Sequence, residues 1–151
     1  MSTYQASASL EIEAPAARVY AIISDYRDGH PRILPRPPFR TLTVDQGGVG
    51  AGTVVAFSLR VLGRDRHMRA RIDEPEPGRA LTETDLESGV VTTFHVAALS
   101  PERSRVTIGT AGTAGSGWLG RLERFMTVSF LEQTYRRELQ LLAEVAGARH
   151  D

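Results

Sequence analysis

The chain has 151 residues, an ordinary apolar fraction of 41% and equal numbers of acidic and basic residues, 18 of each. That length suits one domain with a substantial core, and a formal charge of zero excludes a chain-wide field that would steer nucleic acid or hold an anionic membrane. Cysteine is absent, so disulfides, thiol nucleophiles and cysteine-based zinc sites are excluded.

The N-terminus has no basic region followed by an apolar run, and no segment approaches the ~20 apolar residues of a membrane span. The expectation is a cytoplasmic protein without stable membrane insertion, monomeric or homodimeric, whose partner is a small hydrophobic molecule and not nucleic acid. All basic residues are arginine, and lysine and asparagine are missing; this reads as GC-rich coding bias.

Residues 6–13 alternate small or apolar against polar side chains and predict a strand with one buried face. Pro15 then suits the first turn of a short helix over 16–24, with Val19, Ile22 and Ile23 toward the core. The stretch 25–31 breaks it. Ile33 and Leu34 suggest a second short helical turn, ended by Pro35, Pro37 and Pro38. A second strand over 39–44 runs into Asp45-Gln46-Gly47-Gly48-Val49-Gly50-Ala51-Gly52-Thr53.

Gly47 and Gly52 have the spacing of a phosphate-binding loop, and Thr53 follows. The lysine that would reach the phosphates is missing, and the next residues, 54–61, alternate like a strand. An anion cradle of that kind needs a helix N-terminus, so the glycines read instead as a hairpin loop that tolerates positive φ and close approach.

A two-residue turn at Gly63-Arg64 predicts Val61 opposite Arg66, Leu59 opposite Met68, Phe57 opposite Ala70 and Val55 opposite Ile72, with the apolar residues of both strands on one face. Further strands are predicted over 80–86, 90–98 and 105–113. From 117 to about 146 the pattern is helical, with Ser116 as N-cap and Gly147 as stop. At ~1.5 Å per residue this helix is ~45 Å long and crosses a whole small sheet. The order is α+β, with helices gathered on one face of a curved seven-stranded antiparallel sheet.

Glu83 and Asp85 lie two apart on one strand and share a face. With Leu81 opposite Ile72, both carboxyls point inward, where burial raises their pKa and makes an acid or base of them. Slipped by one residue, Glu83 meets Arg69 and Asp85 meets His67 outside, as ordinary ion pairs. A two-residue turn at Ser88-Gly89 sets Glu83 opposite Phe94 and Asp85 opposite Thr92 and favours the inward reading, though both registers stay open. His30 lies in the 25–31 loop with Tyr20 and Tyr26 near in sequence, placed to move a proton or to cap the loop. Arg66, at a strand end, is either an anchor for a ligand carboxylate or a rim residue reaching solvent. His67 and His95 have no companion at ligand spacing and His150 is in the tail, so no metal is expected. With no dinucleotide fingerprint and no cofactor lysine, no cofactor is expected either.

The order of elements resembles the helix-grip fold of the START-like superfamily (SRPBCC), which includes Bet v 1-like proteins and polyketide cyclase/dehydrase-like proteins. The residues that carry the likeness are 10–20, Ser24-Asp25-Tyr26, the glycine loop 47–53 before a strand, 74–81, and the final helix. The resemblance covers nearly the whole chain, read as one ligand-binding domain over 1–151. It implies a mainly apolar cavity between sheet and long helix, closed at one end by the short helices. Its expected walls are Phe57, Leu59, Met68, Ala70, Thr92, Phe94 and Ile108 from the sheet, and Met126, Phe130 and Tyr135 from the helix, with Tyr20 and Arg66 as further ligand contacts. For an enzyme it implies cyclisation or dehydration of a polyketide-like or aromatic compound, with Glu83, Asp85, His30 or Tyr26 as acid–base groups. A non-catalytic carrier of lipids or other hydrophobic ligands and a protein-interaction domain with a vestigial cavity are the alternatives.

Overall fold

In the computed structural model, which describes residues 2–61 and 63–147, seven strands form one antiparallel sheet. They are β1 (Ser2–Ile12), β2 (Phe39–Gln46), β3 (Val54–Val61), β4 (Arg64–Glu76), β5 (Ala80–Asp85), β6 (Val91–Ser100) and β7 (Arg103–Ala114). Their spatial order is β1-β7-β6-β5-β4-β3-β2, so every pair except β1–β7 is a sequence neighbour. Helix α1 (Ala16–Ser24) and a 3-10 turn (His30–Ile33) follow β1, and α2 (Gly117–Gly147) closes the chain. This is the helix-grip arrangement. His150, named above, lies outside the described residues.

The alternation that predicts strands also decides which face is buried. In β3, Val55, Phe57 and Leu59 are buried while Ala56 and Ser58 are half-buried. Ile72, Leu81, Phe94, Val96, Val106 and Ile108 continue the same face across β4 to β7. The C-terminal half of α2 lays Tyr135, Leu139, Leu142 and Ala146 against it. Each such side chain removed from water contributes roughly 1.5–3 kcal/mol, which makes this face the main driving force for folding.

Three predicted registers are displaced by two residues. Leu59 pairs with Arg66, Phe57 with Met68 and Val55 with Ala70; Glu83 pairs with Ile72 and Asp85 with Ala70; Leu81 pairs with Phe94 and Glu83 with Thr92. The turns are the cause. Val61 pairs directly with Arg64, so the β3–β4 turn falls earlier than Gly63-Arg64 predicts, and Gly63 takes a φ of 77°. Between β5 and β6 the loop is longer than two residues, closed by the Asp85 N–H donating to the Val90 carbonyl at 2.9 Å. A shift of two preserves the faces, because side chains alternate with period two. The inward reading of Glu83 therefore holds although its partners differ.

Candidate functional site

Four ionisable side chains from three separate elements meet beneath the sheet. Tyr26 follows α1, His30 opens the 3-10 turn, Glu83 comes from β5 and Glu138 from α2. Tyr26 and His30 are 0% and 1% exposed, and Glu138 3%.

The segment that presents Tyr26 and His30 is fixed by backbone bonds. Tyr26 N–H donates to the Gly48 carbonyl at 2.8 Å, Gly50 N–H to the Ser24 carbonyl at 2.9 Å, and His30 N–H to the Asp25 carbonyl at 2.7 Å. The glycine loop is thus the brace of the site. Gly50 has a φ of 70°, and a Cβ there would fall 2.5 Å from Glu74 Oε1. Glu74 in turn accepts from the Ala51 N–H at 2.8 Å and from the Tyr20 hydroxyl at 2.7 Å. Gly29 is required for a different reason: a Cβ there would lie 2.5 Å from the Ile22 carbonyl oxygen.

Tyr26 donates its hydroxyl proton to Glu83 Oε2 at 2.5 Å. The His30 ring stacks on the Tyr26 ring, with centroids 4.2 Å apart and planes 16° apart, and meets Phe94 edge-on at 5.6 Å. His30 Nδ1 lies 2.7 Å from the Ile23 carbonyl. A carbonyl only accepts, so Nδ1 carries the proton. In the neutral ring this leaves the lone pair on Nε2, 3.5 Å from Glu83 Oε2 and 3.7 Å from Glu138 Oε2.

These separations exceed the ~2.7–2.9 Å of a charge-assisted bond, so an imidazolium here would gain little for its lost hydration. Burial holds His30 neutral and lowers its pKa to about 4. Burial also raises Glu83 to about 7, against the Tyr26 hydrogen bond, which favours the anion. It raises Glu138 well above the usual carboxylate range, and the nearby Glu83 charge adds to that. Two carboxyls this close and shielded from water, Glu138 buried and Glu83 half-buried, do not both ionise readily. The cluster therefore retains an acidic proton near neutral pH beside the bare Nε2 of a neutral imidazole.

A cavity of about 110 Å³ adjoins this cluster, lined by His30, Glu83, Thr92, Phe94, Tyr135 and Glu138 together with Phe57, Leu59, Met68 and Phe130. Several of these residues, Glu83 among them, also line an open groove of about 1550 Å³. Glu83 stands at the junction. Across the cavity the Tyr135 hydroxyl is hydrogen-bonded to Thr110 Oγ1, which is 2.7 Å from Thr92 Oγ1.

Of the residues singled out in the sequence, Tyr26, His30, Glu83, Phe57, Leu59, Met68, Thr92, Phe94, Phe130 and Tyr135 fall at the cluster or its cavity. Ala70, Arg66 and Met126 line the groove, Arg66 and Met126 as exposed residues. Asp85 also lines the groove, and its carboxylate accepts from the Glu87 N–H at 3.0 Å and the Ser88 hydroxyl at 2.9 Å, which shapes the β5–β6 loop. Tyr20 and Ile108 line neither space. Tyr20 is turned toward Glu74, and Ile108 is core. Glu138 was missed, although it sits three residues after Tyr135 and four before Leu142, on the helix face that packs on the sheet. An acid within an apolar stripe was the available signal.

Among the described residues, no three or more His, Asp or Glu side chains are arranged to hold a metal ion. No described helix is long and apolar enough to cross a membrane.

The sequence profile of the family described as polyketide cyclase/dehydrase and lipid transport matches residues 3–147. The chain belongs to this polyketide cyclase/dehydrase family. Solved structures share its shape. The KanY protein is 29% identical with a TM-score of 0.84, covering 97% of this chain and 99% of that one. The ZhuI aromatase/cyclase from a Streptomyces strain is 20% identical with a TM-score of 0.78, covering 98% and 96%. Norcoclaurine synthase from Thalictrum flavum is 16% identical with a TM-score of 0.73, covering 97% and 96%. The last two likenesses are of fold. No curated protein is significantly similar in sequence to this cyclase-family chain.

Proposed function

We propose that the protein binds a small, largely apolar compound bearing a carbonyl group and moves protons on it, in a cyclisation or dehydration. The observation that carries this reading is the neutral His30 Nε2 facing the half-buried Glu83 and the buried Glu138 carboxyls at the inner end of an apolar cavity. A protonated carboxyl donates to the ligand oxygen, and His30 or the conjugate carboxylate accepts a proton from the adjacent carbon or hydroxyl. The bond changes occur in the ligand, and the cluster ends with the protons it began with.

The dimensions support a division of labour. A pocket for a drug-sized ligand spans ~300–1,000 Å³, so a cavity of about 110 Å³ takes only the reacting end, and the groove takes the remainder. The family relationship and the aromatase/cyclase likeness support a polyketide-like or aromatic substrate.

Native mass spectrometry of freshly purified protein, followed by titration with aromatic ketones, tests this. The expected result is a defined complex whose ketone exchanges its α-hydrogens in D2O faster than with Glu83→Gln protein. Binding with no such difference supports the carrier alternative, and failure to capture any apolar compound contradicts both.

A further inference from the structure

The inner face of the sheet carries one polar row through its apolar core. Glu83 on β5 pairs with Thr92 on β6, and Thr92 pairs with Thr110 on β7. The next row on that face is Leu81, Phe94 and Ile108, each 1% exposed or less. Alternation calls for apolar side chains at 92 and 110 as well. Two threonines stand there instead, and the buried Tyr135 of α2 brings a third hydroxyl onto them.

Their donors do not balance. Thr92 and Thr110 share one hydrogen bond, Thr110 and Tyr135 a second, and among the described residues the three hydroxyls bond to no other group. Two bonds use two of the three O–H protons. Because a hydroxyl both donates and accepts, the row of bonds runs in either direction, and its spare proton emerges at Thr92 or at Tyr135. Both line the cavity that His30, Glu83 and Glu138 also line. Burial raises Tyr135 to about 12, although Thr110 and Thr92 oppose it, so this hydroxyl stays a donor at neutral pH. A spare donor in an apolar cavity wall selects for a ligand that brings it an acceptor.

We infer that Thr92, Thr110 and Tyr135 form a second subsite, which binds a hydroxyl or carbonyl oxygen of the ligand and so determines which part of it reaches Glu83. Neighbouring strands lie ~4.8 Å apart, so the second oxygen sits about one strand spacing from the first. The ligand class is therefore an oxygenated aromatic or alicyclic ketone with its second oxygen a few carbons from the carbonyl. This subsite deepens the carbonyl reading above and rests on it for the position of the first oxygen. Thr92 and Tyr135 act as positioning residues, and the proton transfers stay with the His30, Glu83 and Glu138 cluster.

Four ligands of one shape test it: ethylbenzene, acetophenone, meta-ethylphenol and meta-hydroxyacetophenone, titrated by ligand-observed NMR into wild-type, Thr92→Val, Tyr135→Phe and the double variant. In wild type the meta hydroxyl is expected to raise affinity about tenfold, with or without the carbonyl. Each single variant removes about threefold of that gain and the double variant all of it, while ethylbenzene binds every protein alike. A loss of stability alone would not move this difference between ligands. A hydroxyl that adds nothing in either pair overturns the subsite, and so do variants that weaken all four ligands equally. Preference for meta-ethylphenol over ethylbenzene, with no gain from the ketone, supports the subsite and contradicts the carbonyl reading. Capture of none of the four contradicts both.

Discussion

The Tyr26 hydroxyl is bonded to Glu83 Oε2 at 2.5 Å, joining the segment after α1 to the middle of the sheet across the floor of the cavity. The bond opposes burial. It favours the Glu83 anion, whereas desolvation favours the acid and prevails, raising the carboxyl to about 7. Proton affinity at this site is thus set by two residues 57 positions apart in sequence.

Removing the hydroxyl separates these effects. In Tyr26→Phe, Glu83 keeps its burial and loses the partner that favours its charge, so its pKa rises further and the pH profile of proton transfer moves upward with it. Glu83→Gln keeps the shape and removes the titration. Turnover of a bound ketone is expected to fall about 10²–10⁴-fold, with binding much less affected. A rate unchanged by Glu83→Gln removes Glu83 from the chemistry.

Stability follows the same groups in opposite directions. Glu83, raised from 4.5 to about 7, contributes stability that is present below 4.5 and is lost as pH rises through 7, on the order of 3 kcal/mol at most. Glu138 acts in the same sense. His30, lowered from 6.5 to about 4, contributes stability present above 6.5 and lost as pH falls toward 4. Between 4.5 and 6.5 the terms oppose. Above 6.5 only the carboxyls count, so Tm is expected to decline as pH rises past neutral, and Glu138→Gln should flatten that decline. Thermal unfolding between pH 4 and 9 checks the shape; a Tm rising steadily to pH 9 contradicts it.

Gly50→Ala tests the brace. The new Cβ would meet Glu74 Oε1 and adopt a positive φ, at a cost of about 1–3 kcal/mol. Because Gly50 N–H holds the Ser24 carbonyl, the loss should extend to ligand capture. Chemical denaturation and probe binding measure the two effects, and an unchanged midpoint counts against the bracing role.

Tyr135→Phe removes the hydroxyl that bonds Thr110 and leaves the ring in place. The expected loss is about 1 kcal/mol, with Thr110 and Thr92 still sharing their own bond. A denaturant midpoint equal to wild type would show that water replaces the hydroxyl without loss.

Periodicity made the sheet, its buried face and the long helix legible in the sequence. Alternation alone places Phe57 and Leu59 inward, and neither depends on knowing the turn. Register was less legible because it depends on loop length: the β3–β4 turn falls one residue earlier than Gly63-Arg64 suggests, and Asp85 organises a longer loop than Ser88-Gly89 allows. Parity rescued Glu83 from these errors but could not reveal its partners. Tyr26, His30 and Glu83 were legible as single ionisable residues, whereas their meeting with Glu138 depends on where a 31-residue helix crosses the sheet, which no local pattern specifies.

Desolvation and the closeness of the two carboxyls should leave this cluster with a carboxyl proton beside a neutral imidazole at neutral pH. A ¹³C and ¹⁵N NMR titration of the Glu83, Glu138 and His30 side chains measures it directly. At least one carboxyl is expected to be still protonated at neutral pH, with His30 Nδ1 protonated and Nε2 bare. Two carboxylates ionised by pH 5, or an imidazolium between them at neutral pH, would contradict it.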